Sequence, residues 1–94
     1  MKIRRIVLDV DKAIHQPTLI EIAERIEKVP GVEGANITVT EIDLETVGTV
    51  VTVEGQGIDH AALIKAIESA GAVVHSIDEL AVGARLVEPI KRRR

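Results

Sequence analysis

Acidic residues fall at alternate positions in two stretches of the first half of the chain. One residue separates Asp9 from Asp11, and the same spacing recurs in Glu41, Asp43 and Glu45. Alternate side chains of an extended chain point to the same side, so each stretch would present its carboxylates together. Oxygen ligands of this kind suit hard cations. With His15, the pattern predicts a Ca²⁺ or Mg²⁺ site, although a solvated acidic rim has the same appearance. The predicted ligands are Asp9, Asp11, His15, Glu41, Asp43 and Glu45.

A second polar group is His75-Ser76-Ile77-Asp78-Glu79. In a strand, His75 and Glu79 share one face, whereas Ser76 and Asp78 share the other. The serine and histidine therefore do not form a nucleophile–base pair by themselves. Asp78 and Glu79 likewise point apart, unlike the carboxylates of a glycosidase. The group favours polar contacts on an open sheet face or at a subunit interface. There His75 would pair with a carboxylate across the boundary and make assembly sensitive to pH.

The composition limits the classes of function. The chain has 94 residues, 46% of them hydrophobic, without any aromatic residue or cysteine. One core of Ile, Val, Leu and Ala is expected. The absence of cysteine excludes disulfides, thiolate metal sites and cysteine nucleophiles, and it suits a cytoplasmic protein. No apolar run is long enough to span a membrane or to form a signal peptide.

The charge distribution argues against nucleic acid as a partner. The formal charge is −3, and Lys91–Arg94 contributes +4, which leaves −7 for residues 1–90. An acidic body does not suit the phosphate backbone, and bases have no aromatic side chain on which to stack. We interpret residues 1–88 as one domain and residues 89–94 as a basic, disordered tail.

The first half of the chain predicts a strand, a helix and another strand. Ile3–Val10 alternates with Ile6, Leu8 and Val10 inward, and residues 11–17 follow as a loop. Thr18 and Glu21 have the spacing of a capping box. The helix after them would bury one apolar face, and Pro30-Gly31 would end it. That face consists of Leu19, Ile22, Ala23 and Ile26.

The second half predicts a hairpin, a helix and a last strand. A half-buried strand through Ala35, Ile37 and Val39 leads to a turn at residues 43–46, and Val47–Glu54 forms its partner. Asp59 is placed as the N-cap of the second helix, and Gly71 as the residue after its end. Ala72–Leu80 is the last predicted strand.

The order β-α-β-β-α-β predicts an α+β, ferredoxin-like sandwich: a four-stranded antiparallel sheet with two helices on one face. Ala81–Glu88 stays apolar beyond what this fold needs, and Gly83 could start a short fifth strand. This extension either folds back on its own sheet or pairs with a neighbouring subunit as an arm.

Two family resemblances follow from these segments. Pro30–Asp78 resembles the second half of a heavy-metal-associated domain, without the Cys-x-x-Cys loop of that family. The chain from Ile3 to Glu88 resembles an archaeal family of unknown function, the domain-of-unknown-function family 211. The similarity lies in IRRIVLDV, GVEGANITVTEIDLET and VVHSIDELAVG. In the first loop, members typically have Lys-Pro-His-Glu-Pro. This chain keeps the histidine as His15 and the second proline as Pro17, but it lacks the first proline and the glutamate. The resemblance implies a ferredoxin-like subunit of a symmetric ring and brings no established activity.

These observations lead to one functional hypothesis and two alternatives. The first is a non-enzymatic, self-associating module that forms a cyclic homo-oligomer and binds a small ligand or cation in a regulatory or scaffolding role. The second is a metal-binding protein that uses carboxylates and His15, related in architecture to metallochaperones. The third is an enzyme whose site forms only between subunits.

Overall fold

The computed structural model describes residues 1–90 and contains a single four-stranded antiparallel sheet. The strand order is β2-β3-β1-β4, with β2 and β4 at the two edges. The predicted ferredoxin-like fold is thereby confirmed. No helix within residues 1–90 has the length and apolar character needed to cross a membrane. The elements in chain order are β1 (Ile3–Ala13), α1 (Leu19–Glu27), β2 (Val32–Ile42), β3 (Thr46–Gly55), α2 (His60–Ser69) and β4 (Val73–Val82).

The core lies between the helices and one face of the sheet. Alternate residues of the two central strands point into it because side chains alternate along a strand. Fully buried residues of both helices pack against them. The inward positions predicted for Ile6, Leu8 and Val10 are confirmed, since all three have no exposed surface. The opposite sheet face, here called the open face, has no helix over it. Core residues include Ile6, Leu8, Val10, Ile22, Ile26, Val51, Val53, Leu63 and Ile67.

Both helices begin where the sequence predicts. Thr18 Oγ1 accepts a hydrogen bond from the Glu21 backbone N–H at 3.1 Å, and the Glu21 carboxylate accepts one from the Thr18 N–H at 3.1 Å. This is the predicted capping box. Asp59 caps α2 by accepting from the Ala62 N–H at 3.0 Å. Gly71 follows α2 with φ +105°, a conformation that a glycine adopts without steric cost.

Strand β1 is longer than predicted. It ends at Ala13 rather than Val10, so Asp11 lies in a strand and not in a loop. The reason is its neighbour β3, which pairs with β1 as far as Ala13 opposite Thr46. Lys12 lies at the buried end of this strand, and its ammonium group donates to the Ala13 and Ile14 carbonyls at 2.7 and 3.1 Å.

The predicted fifth strand is wrong, because residues 83–90 have no regular secondary structure. Gly83 donates to the Lys2 carbonyl at 2.9 Å and has φ +108°, which turns the chain away from β4. The chain then returns over the open face instead of extending the sheet. Residues Lys91–Arg94, in which the sequence predicts a disordered tail, lie outside the described part of the chain.

The outer flank of the helical layer also differs from the prediction. Ile22 and Ile26 are fully buried and Leu19 is partly buried, but Ala23 is exposed. Most of β2 is exposed as well, including Ala35 and Val39. Helix α1 lies beside β2, but its outer side and most of β2 remain open to solvent.

Candidate functional site

Arg5 is the centre of the most extensive ion-pair network in the described structure. It lies on the open face, because its neighbour Ile6 points into the core. Its guanidinium contacts Glu54 at 2.8 Å, Glu79 at 3.0 Å and Glu88 at 3.1 Å. Both Nη1 and Nη2 donate to Glu88, so this contact is bidentate. One side chain thus joins β1 to β3, to β4 and to the segment after β4.

The network shifts the pKa values of Arg5 and Glu88. The hydrogen bonds that Arg5 donates to Glu88, Glu54 and Glu79 raise the pKa of Arg5 further above its usual value. The same bidentate hydrogen bond, with the positive charge of Arg5, lowers the pKa of Glu88. Arg5 therefore stays charged, and Glu88 keeps its charge in moderately acidic solution. The contact with Glu88 attaches the C-terminal segment to the open face.

The six predicted cation ligands are only partly brought together. Asp11 and Glu41 lie on either side of Gly48, which is opposite both residues in the register of β3. A methyl group built on Gly48 would lie 3.6 Å from Asp11 Oδ1 and 3.6 Å from Glu41 Cβ. Asp9 is one step away on the same face of β1. His15, Asp43 and Glu45 lie in exposed loops outside the strands.

Within residues 1–90, no three His, Asp or Glu side chains converge closely enough to hold a metal ion. Asp43 instead supports its own turn, where its carboxylate accepts from the Leu44 N–H at 2.8 Å. The Ca²⁺ or Mg²⁺ site therefore stays a prediction of the sequence, without support from the geometry of this chain.

The second predicted group, His75 to Glu79, lies along the edge strand β4. His75 Nε2 is 3.2 Å from Asp11 Oδ2, and Glu79 contacts Arg5. Asp11 and Arg5 occupy the same face of β1, so His75 and Glu79 share a face as expected. Ser76 donates to Asp78 at 2.7 Å. The carboxylate partner of His75 belongs to the same chain, whereas the sequence interpretation placed it across a subunit boundary.

Strand β4 pairs irregularly with β1 over this group. Val7 pairs with Glu79, but the next residue of β1, Leu8, pairs with Ile77, so β4 has one extra residue there. The same happens again between the pairs Asp9–Ser76 and Val10–Val74. His75 and Asp78 are the residues left without a partner at these two irregularities. Such bulges re-aim side chains and are frequent at sheet edges.

An apolar groove lies on the opposite flank of the molecule, between α1 and β2. We call it the α1–β2 groove. Ile20 on α1 is 72% exposed, and Val39 on β2 is 40% exposed. Three glutamates stand along the end of the groove near Val32: Glu24 and Glu27 from α1, and Glu33 from β2. The groove floor is formed by Leu19, Ile20, Ala23, Ala35 and Ile37.

The other flank carries its own exposed apolar residues. On β4, Ile77 and Leu80 are each 50% exposed. The segment from Gly83 onward, here called the C-terminal arm, adds Leu86 at 36%, Val87 at 69% and Ile90 at 93%. The arm is attached through Glu88, but its apolar side chains have little cover. The described chain thus has exposed apolar residues at both edges of the sheet and on the arm that follows β4.

Fold and surfaces together define a small ferredoxin-like domain with two open, apolar edges. Residues 4–94 match the family described as "DUF211: Uncharacterized ArCR", so the chain belongs to this family. It is similar to "Uncharacterized protein MJ0319" of Methanocaldococcus jannaschii. The two are 42% identical over 89 residues, which cover 95% of this chain and 91% of the relative.

Reasoning from the sequence missed the Arg5 network and the α1–β2 groove. A weak signal existed for the first, since an arginine stood at an outward position of an Ile- and Val-rich strand. Its partners are 49, 74 and 83 residues away, so only the register of the sheet could identify them. The groove was hidden because Ala23, Ala35 and Ile37 were all assigned to the core.

Proposed function

We propose that this protein is a non-enzymatic, self-associating module that forms a cyclic homo-oligomer with a scaffolding or regulatory role. The observation that carries the proposal is the distribution of exposed apolar side chains. Most of the large ones lie at the two edges of the sheet or on the arm: Ile20, Val39, Ile42 and Leu44 at the β2 edge, Val73, Ile77, Leu80 and Val82 on β4, and Leu86, Val87 and Ile90 on the arm.

Exposed apolar side chains concentrated at sheet edges commonly mark an interaction site. Both edge strands also keep one row of backbone N–H and C=O groups unpaired, which favours pairing with another chain. Because the two flanks differ in residues and lie at opposite edges, contact between them is head-to-tail. Repetition of a head-to-tail contact gives a ring when the rotation closes.

The experiment compares two substitutions that introduce the same charge at different places. Ile77→Lys puts a charge on the β4 flank, whereas Ile14→Lys puts it in the β1–α1 loop, where Ile14 is already 38% exposed. Native mass spectrometry and sedimentation velocity, at several protein concentrations, report the number of subunits. We expect a closed oligomer for the unchanged protein and for Ile14→Lys, and monomers for Ile77→Lys. A monomeric unchanged protein at every concentration would refute the proposal.

The ligand part of the proposal is tested in the same instrument. Spectra recorded before and after dialysis against EDTA show whether a divalent cation leaves and whether the subunit number changes with it. Loss of mass corresponding to Ca²⁺ or Mg²⁺ would support a cation bound between subunits. An unchanged mass would limit the proposal to assembly alone.

A further inference from the structure

We propose that the C-terminal arm of one copy of this chain occupies the α1–β2 groove of the next copy. This inference rests on the proposed self-association and specifies its contact. The occupant is residues 83–94, with the apolar residues of the arm in the groove and the basic end of the chain along the groove's acidic rim.

The first argument is the match between apolar surfaces. Ile20, which lines the groove, is 72% exposed, and Ile90 on the arm is 93% exposed. The groove floor consists of small and branched apolar residues, and the arm offers side chains of the same kind in an irregular segment that can adapt to it. Placing these surfaces together removes apolar area from water on both sides.

The second argument is charge complementarity. The rim of the groove carries Glu24, Glu27 and Glu33. The arm carries Arg85, and the sequence after Ile90 continues with Lys91–Arg94. The four consecutive basic residues complement the acidic rim of the groove, and the exposed isoleucine before them complements its apolar floor. Complementary charges of this kind also orient the partner before contact.

The third argument decides whose groove the arm fills. Glu88 is held by Arg5 on the open face, whereas the groove lies on the helix face beside β2. Within residues 83–90, no residue of the arm lines the groove of its own chain, and Ile90 is 93% exposed. With Glu88 bound on the open face, Ile90 is therefore available to the groove of a neighbour.

The geometry of this contact is head-to-tail. The arm leaves from the β4 flank and docks at the β2 flank, so each copy uses one of each. Every groove is then filled by the preceding copy, and no arm is left over when the ring closes. The arm would also cover the exposed side of β2, an edge that otherwise invites unspecific strand pairing.

Two substitutions with the same chemistry test the groove. Ala23→Arg fills the groove floor and repels the basic arm, whereas Ala61→Arg adds the same side chain to an exposed position of α2. Sedimentation equilibrium on the full chain measures the association constant, and circular dichroism confirms that both variants fold. We expect Ala23→Arg to weaken association at least a hundredfold and Ala61→Arg to leave it within twofold of the unchanged protein.

Because the chain has no cysteine, a direct test of the contact is available. Two single-cysteine proteins, Ala23→Cys and Val87→Cys, are prepared with tags of different mass, mixed and oxidised. We expect a disulfide-linked heterodimer in the mixture and no covalent dimer in either protein alone. A variant that contains both cysteines should give a ladder of linked subunits.

The outcomes separate this inference from the proposed function. If the unchanged protein assembles and Ala23→Arg assembles equally well, the groove contact is wrong but self-association stands. If the double-cysteine variant closes a disulfide within one chain, the arm fills its own groove and the inference fails. If the unchanged protein is monomeric at every concentration, the proposed function fails, and the groove contact between copies fails with it.

Discussion

At the scale of single residues, Arg5 organises more of the surface than any other described side chain. It is only 15% exposed in its side chain and faces three carboxylates. Two of them, Glu54 and Glu79, lie on the strands on either side, so these contacts hold the sheet surface together. The third, Glu88, lies after the last strand, and its contact with Arg5 attaches the C-terminal arm to the open face.

We predict that Glu88→Gln releases the arm. The substitution removes the negative charge from the bidentate contact with Arg5, and the arm then spends more time away from the sheet. Trypsin cleavage after Arg85, an exposed residue of the arm, should become about twofold to fivefold faster, the range that a surface ion pair supports. Glu68→Gln, on the exposed side of α2, is the control and should leave the cleavage rate unchanged.

Acid should have the same effect as this substitution. The pKa of Glu88 is lowered in the folded protein, so its contact contributes fully above the ordinary pKa of 4.5 and is lost as the pH falls through the lower, folded value. An NMR titration of the Glu88 carboxyl should therefore have its midpoint below 4.5. A midpoint at or above that value would show that the contact with Arg5 does not persist in solution.

At the scale of elements, the cap of α1 determines where that helix begins. We predict that Thr18→Ala lowers the free energy of unfolding by about 1 kcal/mol, because it removes the oxygen that accepts from the Glu21 N–H. Urea denaturation followed by circular dichroism measures the change. Thr38→Ala, at an exposed position of β2, is the control and should alter stability by less than about 0.5 kcal/mol.

The connection between α1 and β2 crosses the end of β3 at very close range. A methyl group on Gly55 would collide with the backbone carbonyl of Gly31, whereas one on Gly34 would meet nothing within 4 Å. Backbone atoms cannot move aside as a flexible side chain can. We predict that Gly55→Ala destabilises the protein by about 2 kcal/mol or more, and that Gly34→Ala stays within about 0.5 kcal/mol. Equal effects in thermal denaturation would contradict this interpretation.

At the scale of the whole molecule, assembly and stability should be linked. If the folded chain associates and the unfolded chain does not, mass action stabilises the folded state as concentration rises. We predict that the melting temperature rises by several degrees between micromolar and millimolar protein, as differential scanning calorimetry can measure. Ile77→Lys should remove this dependence. A melting temperature that is independent of concentration in the unchanged protein would contradict self-association.

The spacing of residues predicted only part of the arrangement of the candidate cation ligands. Asp11 and Glu41 do lie on either side of Gly48, because strand alternation and register place both beside it. His15, Asp43 and Glu45 depend instead on the paths of two loops, which spacing alone does not specify. The same limit applies to His75, whose partner Asp11 became apparent only once irregular pairing between β1 and β4 was known.

The sequence by itself determined the six elements, the caps of both helices and the inward positions of β1. These features depend on residues close together in the chain, through the two-residue period of strands and the capping geometry of helix ends. Only the tertiary structure decided which surfaces remain open. Whether Ala23 is covered depends on how α1 lies across the sheet, and where the arm goes depends on Glu88 meeting Arg5 from 83 residues away. Both the exposure of Ala23 and the path of the arm depend on contacts between residues far apart in the chain, which a local pattern cannot specify.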